Sequence, residues 1–193
     1  MSAETDARLS GDDLAYVRSE YDTLDELCAK SGDPIEKVRG HIEAGRLPGP
    51  SYVLPDGTEM FPPDYFALLD EAGGVEGLRD LFDRRWLIAA STLGLVGVTS
   101  DEDWRGYLSG DFGVCLREVT PEGMVEKGAL IAEIEGLVAT PLAGDENWRE
   151  LLRDAVDRLD ELERPFTDYD RQRWGTVSRD RYITAVRAQH LAD

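Results

Sequence analysis

Residues that could carry out catalysis are few in this 193-residue sequence, and they lie far apart along the chain. There are two histidines, His41 and His190, and two cysteines, Cys28 and Cys115. A zinc site is signalled by clustered Cys and His ligands, and this sequence has no such spacing. Both cysteines occur among apolar residues, which favours buried thiols in a reduced protein. We therefore name no catalytic residue, no metal ligand and no cofactor from the sequence.

Acidic side chains dominate the composition. Forty Asp and Glu residues stand against 21 Lys and Arg, giving a formal net charge of −19, and a catalytic carboxylate pair cannot be chosen among so many. This charge repels phosphates at long range, which excludes a protein that binds polyanions through bulk positive charge. A hydrophobic content of 41% excludes a wholly disordered acidic chain. With no secretory signal, and with an apolar stretch at 86–98 too short to span a bilayer, we expect a cytoplasmic protein without membrane contact.

When the chain is divided into 1–72, 73–163 and 164–193, only the last segment has a positive net charge, and its arginines alternate with aromatic residues. Such a pattern can bind nucleic acid or an acidic peptide. It can equally pack onto the protein's own acidic body through charge pairs and ring contacts, which we favour because that partner is always nearby. The candidate docking residues are Arg171, Arg173, Trp174, Arg179 and Arg181.

Helix signals are explicit in the first half of the chain. Ser10 is placed to cap a helix that ends near Glu20, and Thr23 with Glu26 forms a capping box for a second, short helix. Asp33 is predicted to cap a third helix, with Pro34 in its first position. A turn at 55–57 then separates two strands of a hairpin, and a helix over 62–71 follows. This is the element order of a winged helix-turn-helix.

Four sequence features carry a resemblance to known domains: Leu24-Asp-Glu-Leu27, Gly45-Arg-Leu-Pro48, the hairpin around Asp56-Gly57, and Phe61 with Asp64. Over 23–69, about a quarter of the chain, the sequence resembles the MerR-like and excisionase-like winged-helix domains. The whole chain also resembles an actinobacterial family of unknown function that is loosely labelled as natural-product biosynthesis, a label that implies no reaction.

The winged-helix resemblance implies that the second helix of the motif enters the DNA major groove while the wing touches the backbone. Carried over by position, the DNA-contact candidates are Lys37, Arg39, His41, Arg46 and Tyr52. Arg39 has the chemistry to contact a guanine edge, and Lys37 and Arg46 could neutralise phosphates. Residues 23–66 nevertheless hold twice as many acidic as basic side chains. That balance favours a solvated or partner-binding helix over a DNA-reading one.

Beyond Gly73-Gly74 the hydrophobic spacing is helical almost throughout, apart from a short stretch at 112–116 that we expect to be extended. The predicted fold is mainly α, with a winged helix-turn-helix carrying a small β-hairpin, followed by a small helical bundle. The predicted domains are a winged helix-turn-helix-like domain at 1–72, an acidic helical bundle at 75–163, and an Arg/aromatic tail at 164–193 packed on the body.

Three functions compete. The favoured one is a regulatory or protein-interaction module whose acidic surface meets a protein partner, with self-association also open. The alternative is a sequence-specific DNA-binding transcription regulator. The third is a small-molecule binder or enzyme with a pocket between the two halves, lined by Trp86, Trp104, Trp148 and Trp174. Large aromatic residues at helical spacing are more often core, which counts against the third.

Overall fold

A computed structural model describes residues 8–142 and 144–192 as a mainly helical protein with one small antiparallel sheet, which confirms the predicted fold class. The helices are α1 (Gly11–Glu20), α2 (Leu24–Ser31), α3 (Ile35–Glu43), α4 (Ala67–Glu71), α5 (Val75–Thr92), α6 (Asp101–Leu108), α7 (Asp111–Cys115), α8 (Pro121–Ala139), α9 (Glu146–Leu162) and α10 (Asp168–Trp174), followed by two π-helical segments, π1 (Arg179–Thr184) and π2 (Arg187–Leu191). None of the helices described is long and apolar enough to cross a bilayer.

The sheet has three strands, β1 (Asp22–Thr23), β2 (Tyr52–Val53) and β3 (Glu59–Phe61), in the order β1-β3-β2. The predicted hairpin is confirmed as β2 and β3, which are joined by a turn where Gly57 adopts a φ of +84°. The third strand, β1, was not predicted, because two residues carry no periodicity. It pairs antiparallel with β3 and so connects the residues between α1 and α2 to the hairpin.

Local capping signals determine where several helices begin. The side chains of Ser10 and Thr23 accept hydrogen bonds from the backbone three residues on, and both capping boxes are complete. The predicted cap at Asp33 is wrong, because the extended backbone of Pro34 makes that residue the N-cap and α3 begins one residue later. The predicted extended stretch at 112–116 is also wrong over α7, where the chain is helical up to Cys115.

The helix expected from Pro62 begins only at Ala67, as α4. Residues 63–66 form turns instead, and the Asp64 carboxylate accepts a hydrogen bond from the Val119 backbone N–H at 2.7 Å. Asp64 therefore connects the N-terminal half to the segment before α8. A capping carboxylate and a carboxylate that anchors a distant loop look alike in sequence, so this contact could not be predicted.

Among the residues that the structure describes, three clusters of buried side chains form the core. The first crosses the Gly73-Gly74 boundary and packs α2, α3 and β3 against α5 and the start of α8. The second lies between α8, α9 and the two π-helical segments. The third joins α1 and the sheet to residues after α9, among them Phe166 and Val177. The N-terminal half and the last thirty residues therefore share core with the helices between them.

Candidate functional site

Helix α3 presents an acidic face to solvent. Val38 is buried against the first core cluster, which fixes the rotation of the helix. At about 100° per residue, Glu36, Gly40 and Glu43 then lie within about 60° of one another on the outward side. All three are exposed. The face that would enter a DNA groove in a winged helix thus carries two carboxylates.

The two arginines predicted to contact DNA each bind a carboxylate of the same chain. Arg39 binds Glu59 of β3 at 3.0 Å, and Arg46 binds Glu76 of α5. The hydrogen bond and the charge of Arg46 lower the pKa of Glu76. Arg39 therefore lies towards the hairpin and Arg46 towards α5, so the two arginines do not converge on one surface.

Lys37 and His41 line an open groove of about 530 Å³ between α3 and the connection from α4 to α5. The groove is lined by apolar side chains, by three acidic residues and by the backbone of Gly73-Gly74. The apolar residues are Val38, Leu47, Leu69 and Val75, and the acidic ones are Asp33, Asp70 and Glu76. We call this the α3 groove. Its volume lies within the range typical of ligand-binding clefts.

Tyr52, predicted to lie near DNA at the wing, is instead buried with 1% of its surface exposed. Its ring packs edge-on against that of Tyr21, with the centroids 4.9 Å apart, and its hydroxyl donates a 3.0 Å hydrogen bond to Asp170. Burial, reinforced by Tyr21 and Asp170, raises the pKa of Tyr52. This prediction is corrected: Tyr52 is a core residue, because it lies on the side of β2 that faces α10, whereas Val53 lies on the solvent side.

The predicted docking residues of the tail have different partners. Arg179 binds Asp160 on α9, and Arg181 binds Glu135 on α8 at 3.3 Å. Arg171 binds Asp180 within the segment itself, at 2.7 Å. Arg173 lies over the rings of Tyr169 and Trp174, and its guanidinium donates a 3.4 Å hydrogen bond to the Ser51 carbonyl. Trp174 is 40% exposed.

Two further tail arginines with partners in the body were not singled out from the sequence. Arg164 is buried and donates hydrogen bonds to the carbonyls of Leu116 and Arg117. Arg187 binds both Asp157 and Asp160 at 2.6 Å. The spacing of Asp157 and Asp160 on one side of α9 is a signal that could have suggested an arginine partner.

A buried polar cluster surrounds Cys115, and its charged members were not predicted. The Lys127 ammonium binds the Glu163 carboxylate at 2.8 Å, and the Cys115 thiol donates a hydrogen bond to the Phe112 carbonyl at 3.7 Å. Glu163 is fully buried and accepts a further hydrogen bond from Ser178. Burial raises the pKa of the Cys115 thiol, so the neutral thiol predominates at pH 7. A neutral thiol is a poor nucleophile, so we assign this cluster a structural role. It stabilises the contact between α7, α8 and the tail.

One cavity between the two halves of the chain is small. A cavity of about 20 Å³, lined by Asp64, Tyr65, Tyr107 and neighbouring residues, has room for about one water molecule. Burial raises the pKa of Asp64, whose second oxygen accepts no hydrogen bond. In the described part of the chain, no group of three or more His, Cys, Asp or Glu is placed to hold a metal ion.

The four tryptophans do not line one cleft. Trp86 and Trp104 pack in or against the first core cluster, and Trp148 lies in the second. Trp174 lies apart from both, against Arg173. The indole N–H groups of Trp86 and Trp148 are bound, to the Asp103 carboxylate and the Leu137 carbonyl. These residues stabilise the core in separate places.

The fold and the surfaces just described define a mainly helical protein with a small antiparallel sheet, an acidic helix α3 and an adjacent groove. The chain belongs to a family of unknown function, DUF6058, which matches residues 79–191. That match covers most of α5 and everything up to the end of π2, whereas α3 precedes it. No curated protein and no solved structure matches the chain.

Proposed function

We propose that this protein is an interaction module that binds a basic segment of another protein in the α3 groove. The observation that carries the proposal is the combination of apolar side chains and three carboxylates in one groove, beside a helix that exposes Glu36 and Glu43. The order of α2, α3, the hairpin and α4 supports a winged-helix scaffold as the framework that presents this groove.

The chemistry of the groove indicates the kind of segment that would fit. Partly accessible Leu69 and Val75 can receive one or two apolar side chains of a partner. Asp33 and Asp70 can then bind Lys or Arg residues that flank them, whereas Glu76 is already paired with Arg46. The net charge of −19 would attract a basic partner from a distance and raise its association rate.

The same features count against DNA as the ligand. Arg39 and Arg46 would have to release Glu59 and Glu76 before they could contact a base or a phosphate. Glu36 and Glu43 would meanwhile approach the phosphate backbone, where like charges repel. The sequence-specific regulator therefore remains the alternative that the experiment below must exclude.

The test uses fluorescent peptides that carry a leucine pair flanked by arginines, with uncharged peptides of the same length for comparison. Binding to the folded protein is measured at low and at high salt. We expect the double variant Asp33→Lys, Asp70→Lys, which reverses the charge of two residues lining the groove, to bind about tenfold or more weakly. A matched double variant, Glu133→Lys, Glu150→Lys, makes the same change in net charge on exposed parts of α8 and α9. It should bind nearly as well as the unchanged protein.

A single substitution separates the protein ligand from DNA. Lys37→Glu adds a carboxylate to the groove, so it should strengthen binding of the basic peptide, whereas a DNA-reading helix would lose affinity. A randomised duplex DNA pool serves as the second arm of the experiment. Enrichment of a sequence motif that Arg39→Ala, Arg46→Ala abolishes would overturn the proposal in favour of a DNA-binding regulator. Equal binding by the Asp33→Lys, Asp70→Lys variant and by the matched Glu133→Lys, Glu150→Lys variant would overturn it as well.

A further inference from the structure

The longest part of the chain without a charged residue, 86–100, is also where large apolar side chains are most exposed. Val96 is 89% exposed and Ile88 is 62% exposed, in a chain of which 32% is charged. Leu87, Leu93, Leu95 and Val98 are each between 39% and 51% exposed. We call these six side chains the apolar lobe. Scattered exposed leucines are ordinary, but six within a dozen residues form a patch.

The apolar lobe has a defined conformation. At the end of α5 the Gly94 N–H bonds to the Ser91 carbonyl and the Leu95 N–H bonds to the Ala90 carbonyl, with φ at Gly94 of +72°. This is a Schellman motif, which reverses the chain after a helix. The chain then returns along α5, because the Ser100 hydroxyl bonds to Asp83 and Asp101 binds Arg79 at 2.7 Å. The return places 95–98 alongside the C-terminal half of α5, the half that carries Leu87 and Ile88.

We infer that the apolar lobe is a contact surface for a second copy of this chain. Its exposed side-chain area is on the order of 500 Å², which is near the upper end for the largest apolar patch of a monomer. Two such patches meeting across a two-fold axis would bury roughly 1,000 Å², the lower limit for a specific interface. A two-fold dimer brings the same patch together from both copies, so one self-complementary apolar surface suffices.

Charge gives this dimer a distinctive dependence on salt. Each copy carries a net charge of −19, so two copies repel one another at long range while the charge-free lobes attract at contact. Added salt screens the repulsion and leaves hydrophobic burial intact. The dimer should therefore strengthen as salt rises. A complex with a basic segment in the α3 groove should weaken as salt rises, so the two proposals fail independently.

The test measures molar mass in solution by sedimentation equilibrium, up to about 200 µM protein, a range that covers dissociation constants of weak dimers. We expect dimers in the unchanged protein, with at least tenfold tighter association at 0.5 M than at about 0.05 M salt. Val96→Glu and Ile88→Glu should each be monomeric under both conditions. Leu142→Glu places the same charge on a side chain that is 52% exposed outside the lobe, and it should leave the dimer unchanged.

The substitutions in the apolar lobe can be separated from effects on folding. Val96 is too exposed for its substitution to affect the core, and circular dichroism of each variant checks that the fold is intact. A milder variant, Val96→Ser, removes apolar area without adding charge and should weaken the dimer to a smaller extent. A monomer at every concentration and salt, or a dimer that survives both Val96→Glu and Ile88→Glu, would overturn the inference.

Discussion

Asp170 connects the sheet to the segment after α9 through a carboxylate with no exposed surface. One of its oxygens accepts hydrogen bonds from Tyr52 and from both the backbone N–H and the hydroxyl of Thr167, while the other oxygen has no partner. A buried carboxylate with one free oxygen depends heavily on the donors it has, because each lost donor leaves more of its desolvation uncompensated.

Removing the donor from Tyr52 tests that dependence. Tyr52→Phe keeps the ring packed against Tyr21 but deletes the hydrogen bond to Asp170, so we expect it to lower the free energy of unfolding by about 2 kcal/mol. Urea denaturation measures the change. As the control, Tyr182→Phe deletes a hydroxyl that bonds to Glu135 at the surface, and it should cost less than about 0.5 kcal/mol. Equal losses in the two variants would contradict the argument.

Asp160 gives the tail contact a dependence on pH. Partial burial acts to raise the pKa of Asp160, but hydrogen bonds and charges from Arg187 and Arg179 outweigh it, so the pKa lies below its usual value. A carboxyl whose pKa is lower in the folded than in the unfolded protein stabilises the fold above its unfolded pKa, about 3.9. That contribution is lost as the pH falls through the folded pKa.

Asp160→Asn should therefore destabilise the protein at pH 7 and lose most of its effect in strongly acidic solution. Denaturation of the unchanged protein and the variant at a series of pH values between 7 and the acid limit of the fold measures this convergence. Glu161→Gln changes an exposed neighbour that forms no ion pair with any described residue, and it should show no such trend. Parallel stability curves for Asp160→Asn and the unchanged protein would refute the expectation.

At the scale of elements, one glycine determines how closely two loops approach. Gly110, between α6 and α7, has a φ of +83°, and a Cβ there would lie 2.6 Å from the Gly49 carbonyl oxygen and 2.8 Å from that of Pro50. Left-handed φ and close backbone contact each favour glycine. The N-terminal half and the α6–α7 corner can meet only because this position lacks a side chain.

Gly110→Ala should therefore lower the free energy of unfolding by about 3 kcal/mol or more. This is more than the strain of a left-handed backbone alone would cost. Gly32→Ala is the matched control, because Gly32 has the same φ of +83° but open space around its Cβ position. That variant should cost about 1 kcal/mol. The comparison requires only two thermal or urea unfolding curves, and similar costs would show that the loop contact is unimportant.

Elements specified by adjacent residues could be predicted from the sequence. The capping boxes at Ser10 and Thr23, the turn at Gly57 and the apolar spacing of α9 are all local signals, and the structure has them where expected. Elements that depend on distant partners could not be predicted. β1 exists because β3 pairs with it, and residues 63–66 turn where Asp64 reaches the Val119 backbone.

The same distinction between local signals and distant partners applies to the candidate site. Lys37, Arg39, His41 and Arg46 lie on and after α3 as expected, but only the fold reveals that both arginines bind glutamates of the same chain. Which acidic residue neutralises which arginine depends on how the hairpin and α5 pack beside α3. The α3 groove is likewise a product of packing between elements more than twenty residues apart.

At the scale of the whole molecule, the segment after Glu163 completes the core. Phe166, Val177, Ile183 and Val186 are all at least nine-tenths buried, and together such residues contribute about 8 kcal/mol by burial. This is comparable to the entire stability of a typical domain. The positive charge of the segment also offsets part of the surplus on α9, where Asp157 and Asp160 receive arginines from it.

A chain ended after Glu163 should therefore lose its cooperative unfolding transition and bind a hydrophobic dye such as ANS. Calorimetry and dye fluorescence measure the two effects. Trp174→Ala, which trims an exposed part of the same segment, should retain a sharp transition. A shortened chain that unfolds as cooperatively as the full one would show that the body folds alone.

The hydroxyl of Tyr52 and the carboxylate of Asp170 are 118 positions apart in the sequence, and this separation has a consequence during synthesis. At about 5–20 residues per second, a ribosome needs roughly 6–24 s to make the intervening chain. Throughout that interval Tyr21 and Tyr52 lack the helix that covers them, so the nascent N-terminal half exposes aromatic surface. We expect this half to be a chaperone substrate until residues 164–192 have left the ribosome.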